Sequence, residues 1–186
     1  EQKLLWKIIV LVSVILFFSY NAFSYDLFNY IFDAKIVTHY GQNPYEHKAL
    51  DYPGDPMLSF MHWTHRTYPY GPIWLLLTVP LSFIGFGYFL LTFYLFKLLS
   101  VGSFIWSVVL IRKIALKLGL TPVPVVAAFA LNPLVLIESL VSAHLDIAMI
   151  AFSLFGILMF LEKRLVASLL GIISSILIKF STALII

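Results

Sequence analysis

Long apolar runs, nearly free of charge, make up most of this chain, and one extended polar segment interrupts them. Five runs matter: Leu4–Tyr20, Pro72–Phe86, Tyr88–Ile111, Val123–Val141 and Ile147–Leu161. A sixth, Leu165–Ile186, reaches the last residue. A membrane span needs about 20 apolar residues, and most of these runs approach or exceed that. Composition agrees, with 61% hydrophobic and 11% charged residues, against roughly 25% charged in a soluble domain. The expectation is an all-α, polytopic transmembrane helical bundle, since helices satisfy their own backbone in lipid.

Composition also excludes some partners and chemistries. The net charge of +3 is small and scattered, which argues against nucleic acid. Without cysteine there is no disulfide framework, thiolate zinc site or thiol nucleophile. The first run lacks a small-residue cleavage site after it and reads as a span rather than a cleaved signal. The start at Glu1 and the stop inside an apolar run suggest that residues 1–186 are a single transmembrane domain, an N-terminal piece of a longer protein.

The polar segment, Asn21 to Gly71, holds five of the nine acidic residues and four of the five histidines. Lys3 and Lys7 place the N-terminus in the cytoplasm by the excess of Lys and Arg in cytoplasmic loops. The polar segment then lies outside, as a long first extracytoplasmic loop over about residues 21–87. If Pro72–Phe86 spanned fully, both later basic loops (Arg112, Lys113, Lys117 and Lys163, Arg164) would fall outside. If that short, Pro80-containing run instead lies at the outer interface or re-enters, both return to the cytoplasm, so this multi-pass topology is preferred. Glu138, His144 and Asp146 then come to the outer end of a helical hairpin, on the same face as the polar segment.

Several residues could carry chemistry there. In a helix reaching Tyr40, Asp26, Asn29, Tyr30 and Asp33 share one face. A carboxylate in that place takes a proton from a hydroxyl as general base, or it is an acid favoured by the helix dipole. Tyr45 and Tyr70 flank Pro-containing turns and serve either as interface anchors or as substrate contacts. His62 and His65 lack a placed third ligand, so no metal site is assigned. Lys97 and Lys179 lie inside apolar runs, where an ionisable group needs a partner or a role. Each either snorkels or pairs internally, or holds an anionic headgroup such as a lipid phosphate. Glu138 follows closely on the helix-breaking Asn132-Pro133.

The run Asp33-Ala34-Lys35-Ile36-Val37-Thr38-His39-Tyr40-Gly41-Gln42-Asn43-Pro44-Tyr45, with Tyr68-Pro69-Tyr70-Gly71-Pro72, resembles the first external loop of GT-C glycosyltransferases. The branch is that of polyprenyl-phosphate-mannose-dependent mannosyltransferases. Leu131-Asn132-Pro133-Leu134 through Glu138 and His144-x-Asp146 are similar to its second motif, and Ile178-Lys179-Phe180 to its lysine-bearing helix. The resemblance implies a GT-C-like bundle whose first external loop forms juxtamembrane helices. It implies a membrane glycosyltransferase moving mannose, with inversion, from polyprenyl phosphate to an acceptor glycan or glycolipid at the extracytoplasmic face. No cofactor is implied; the lipid-linked sugar is the donor substrate. By position, Asp26 takes the base role with Asp33 as runner-up, and Lys179 with Lys97 takes the phosphate. Position 24 is Ser where many relatives carry a second acid, which leaves metal assistance open.

Two other classes compete. A secondary transporter would also carry intramembrane charges and Pro-broken helices, but no internal repeat is visible and the acids gather toward one face. A non-catalytic membrane subunit would need none of these acids.

Overall fold

The computed structural model describes residues 1–185, and every regular element among them is helical. Helix α1 covers Gln2–Phe17, α2 Asp26–Thr38, α3 Pro72–Ile84, α4 Phe89–Lys117, α5 Pro122–Ala130, α6 Pro133–Leu136, α7 Asp146–Leu161 and α8 Leu165–Ile176. Short 3-10 turns occupy Ala49–Asp51, Pro56–Phe60 and Phe180–Ile185, and a π turn, Ile137–Val141, continues α6. Pro72, Pro122 and Pro133 open their helices, where a missing N–H is no loss. Gly119, at φ +71°, ends α4 in the left-handed region open to glycine.

These helices overturn the polytopic bundle. Among the described residues, only α4, with 29 residues, is by itself long and apolar enough to cross a membrane. The α5 helix and the Pro133–Val141 segment meet that criterion only as a pair, and they are bent by 54° at their break. The others are short of about 20 residues: α1 and α7 have 16, α3 has 13 and α8 has 12. The chain is an all-α globular domain with extensive helix–helix packing and one candidate membrane-spanning helix. The expected multi-pass placement, with a cytoplasmic N-terminus and an extracytoplasmic site, falls with the bundle.

The reason is that hydropathy counts apolar residues whether or not one helix runs through them. The run Val123–Val141 breaks where Asn132 caps Leu134 N–H at 2.9 Å and Pro133 restarts the chain. The run Leu165–Ile186, whose last residue lies outside the described residues, leaves the α-helix after Ile176. Much of the apolar surface is turned onto other helices. One core gathers Phe28, Phe32, Trp74, Phe93, Phe96 and Ile178 from α2, α3, α4 and the segment after α8. A second gathers Ile9, Phe104, Val108, Val126 and Leu140 from α1, α4, α5 and the π turn. Helices α7 and α8 approach so closely that a Cβ on Gly171 would lie 2.8 Å from Gly156 N.

The polar segment is folded onto these helices by named bonds. Asp55 accepts from Lys35 on α2, from Tyr40 Oη at 2.6 Å and from Met57 N–H at 2.9 Å. Burial works to raise the Asp55 carboxyl, but those donors outweigh it and hold the group below its ordinary range. At the segment's end, Gly71 N–H donates to Ile178 O at 3.1 Å and Ile73 N–H to Leu177 O at 3.0 Å. A Cβ on Gly71 would sit 2.0 Å from Leu177 O, so this docking requires glycine.

Candidate active site

The site begins at the π turn. Ser142 N–H closes it by donating to Ile137 O at 2.8 Å. Ala143 then adopts φ +52°, an uncommon conformation for a residue with a Cβ. Carbonyls released at this break find donors: Lys97 Nζ bonds Leu140 O, and Val141 O at 3.2 Å, while Asn21 Nδ2 donates to Ser142 O at 2.7 Å. Strain and π turns of this kind concentrate at functional sites, and here they aim His144.

His144 joins two carboxylates. Its Nδ1 lies 2.5 Å from Glu138 Oε2 and its Nε2 lies 2.8 Å from Ser24 Oγ. A carboxylate can only accept, so Nδ1 carries a proton toward Glu138, and when the ring is neutral Nε2 accepts from Ser24. Nε2 also comes within 3.7 Å of Asp26 Oδ2. Asp26 opens α2, with its N–H on Ser24 Oγ at 3.1 Å, and its Oδ1 accepts from Trp63 Nε1 at 2.9 Å. One oxygen of Asp26 is therefore fixed by an indole, and the other faces an imidazole.

Two residues beyond His144, Asp146 opens α7 and accepts from Lys179 Nζ at 2.8 and 3.1 Å. Both side chains are partly exposed, at 38% and 40%, so the ammonium remains open to an anion. Glu138, Ser139, His144, Asp146 and Lys179 line one cavity of about 470 Å³ whose other wall is apolar. Tyr30 and Tyr70 pack edge to face at 5.3 Å. Burial, with Tyr70 and the Asp26 and Asp146 carboxylates nearby, pushes the Tyr30 phenol well above its ordinary range.

The structure thus brings together Asp26, Glu138, His144, Asp146 and Lys179, with Tyr70 adjacent. Tyr45 donates its hydroxyl to Tyr70 O at 3.1 Å and braces the loop. Lys97 is fully buried and holds the π-turn carbonyls rather than lining the cavity. Asp33 is not with Asp26: its Oδ2 is sealed without a partner. Burial raises its pKa from an ordinary 3.8 to about 7, against the opposing pull of Arg66.

That shift has a sign that can be read. A carboxyl raised in the folded state costs nothing below about pH 4, where folded and unfolded chains both bind the proton, and the cost grows as pH climbs to about 7. Asp33→Asn is expected to stabilise the chain at about pH 8 by on the order of 3 kcal/mol. The gain should vanish near pH 4. Thermal unfolding at both pH values checks this, and an equal gain at both would defeat it.

Sequence reasoning missed Trp63, Ser24 and Arg66. Trp63 lies between His62 and His65, which drew attention only as metal ligands; His62 instead stacks on Tyr25 at 3.9 Å. Ser24 reads in the sequence as a missing acid, yet its hydroxyl bonds both Asp26 and His144. A serine two residues before a helix-opening acid was the available signal.

No solved structure matches the chain. It is 27% identical over 173 residues to alpha-(1->6)-mannopyranosyltransferase A of Corynebacterium glutamicum, covering 91% of this chain and 34% of that protein. The chain therefore spans about a third of the length of that curated relative. The family described as alpha-(1->6)-mannopyranosyltransferase, N-terminal domain, matches residues 1–186. With the match running the whole length of the chain, the protein belongs to the alpha-(1->6)-mannopyranosyltransferase N-terminal domain family.

Proposed function

We propose that this chain supplies the catalytic residues of a mannosyltransferase that moves mannose from polyprenyl phosphate to a hydroxyl of an acceptor glycan or glycolipid. The observation that carries the reading is the convergence of a carboxylate and an ammonium on one short segment. Asp26 faces His144, and Lys179 is paired with Asp146 two residues further on. Glycosyl transfer from a lipid phosphate needs both groups, a base for the incoming hydroxyl and a cation for the departing phosphate.

In this reading the acceptor oxygen attacks C1 of the mannosyl group from the side opposite the phosphate. The new C1–O bond forms as the C1–O(phosphate) bond breaks, which inverts C1. The hydroxyl proton passes to Asp26, and the bond's electron pair leaves on the phosphate, beside Lys179. Trp63 orients Asp26 through Oδ1, and Glu138 orients His144 through Nδ1. The apolar wall formed by Leu134, Val135, Ile147 and Ile150 suits the first isoprene units of the lipid. Since the donor's tail lives in lipid, the reaction takes place against a bilayer. Residues 1–186 would be one domain of the complete enzyme.

The test is to purify the full-length protein, add polyprenyl-phosphate mannose and an α-(1→6)-linked mannotriose, and look for tetrasaccharide by mass. Product with inverted anomeric configuration is the expected result. A protein that is folded yet yields no product from this donor would remove the donor assignment.

A further inference from the structure

Trp63 is an exposed indole tied to the proposed base. Its side chain is open to solvent, at 46% of full exposure, although tryptophan usually buries its ring. The ring is nonetheless held in place: Nε1 donates to Asp26 Oδ1 at 2.9 Å, and the Arg66 guanidinium lies 5.9 Å from its centroid. Arg66 reaches on to the Tyr70 ring at 5.6 Å. On the neighbouring stretch His62 stacks on exposed Tyr25 at 3.9 Å and 14°. None of these five side chains lines the cavity that holds Lys179.

Asp26 divides the two regions. Its Oδ2 looks toward His144, which lines the cavity, while its Oδ1 looks toward Trp63. An ordered, exposed aromatic face beside a general base suits a ligand with one apolar C–H face and hydroxyls at its rim. A pyranose ring has that shape: its axial hydrogens pack on an indole, and its hydroxyls reach Asp26 and Arg66. We propose that Trp63 is the floor of an acceptor subsite for a mannose residue of a growing oligosaccharide, on the side of Asp26 away from the donor. This rests on the mannosyl-transfer reading for the identity of the sugar.

The experiment titrates the full-length protein with α-(1→6)-linked mannotriose by calorimetry, and separately measures the acceptor and donor KM. Trp63→Ala is expected to weaken mannotriose binding and raise the acceptor KM by about 10-fold, the equivalent of one good stacking contact. The donor KM should stay unchanged. Trp63→Phe keeps a ring and loses only the N–H, so binding should fall by no more than about 3-fold while kcat drops. Equal mannotriose binding by native protein and Trp63→Ala overturns the proposal, as does no binding by either. A variant that binds mannotriose normally but no longer binds phosphatidylglycerol vesicles overturns it too, and would make Trp63 a lipid anchor. Native protein that fails to transfer mannose yet binds mannotriose through Trp63 would sink the transfer reading and leave the subsite standing.

Discussion

Asp26→Asn is expected to lower mannosyl transfer by about 100- to 10,000-fold, the usual contribution of a positioned general base. The amide keeps the shape of the carboxylate, and its oxygen can still accept from Trp63 Nε1, so the opening of α2 should hold. What it loses is the capacity to take the acceptor's proton. Melting temperature and donor binding should therefore stay close to native while kcat collapses. Retained transfer would move the base to His144, whose Nδ1 is already occupied by Glu138 and whose Nε2 faces the same place. Repeating the measurement with His144→Asn would then decide between them.

Lys179→Met should be nearly as damaging, lowering transfer by about 100- to 1,000-fold, as when one preorganised donor to a developing negative charge is removed. Its cause is electrostatic. Without the ammonium, Asp146 presents an unbalanced carboxylate to a cavity proposed to take a phosphate. Removing that carboxylate as well, in Lys179→Met with Asp146→Asn, should recover part of the loss by ending the repulsion. Stability should hardly change in either variant, because both side chains are more than a third exposed and such pairs contribute little to folding. A fall in melting temperature that tracks the fall in activity would instead make the pair a structural brace.

Much of the site was legible because chemistry-bearing residues are rare in so apolar a chain. Glu138, His144 and Asp146 stand out from their surroundings, and basic-loop counting put them on one side with the polar segment. The structure brings Asp26 and His144 within 3.7 Å, although the multi-pass topology behind that counting does not hold. Asp26 and Asp33 could not be ranked from spacing, because both fall on one helical face. Their positions along α2 separate their surroundings: Asp26, in the first turn, meets Trp63 and His144, whereas Asp33 Oδ2, two turns further on, is sealed. Lys97 was legible as a charge needing a partner, but its partners are backbone carbonyls far along the chain, and carbonyls carry no sequence signal. The fold was misjudged for a related reason. Unbroken hydropathy across Val123–Val141 and Leu165–Ile186 hides helix ends set by a cap at Asn132 and by the turn after Ile176.

The docking of Gly71 and Ile73 on Leu177 and Ile178 bears on how the domain is assembled in time. These backbone bonds join the end of the polar segment to the far end of the chain, and Ile178 is itself fully buried in the core built around α2. A pairing between such distant stretches closes a long loop and belongs late in folding. During synthesis, α2 can pack on α3 and α4 as they emerge, but the end of the polar segment has no partner until residues 177–179 follow. The segment that closes this core also delivers Lys179, so closure of the core and arrival of the site's cation are a single event.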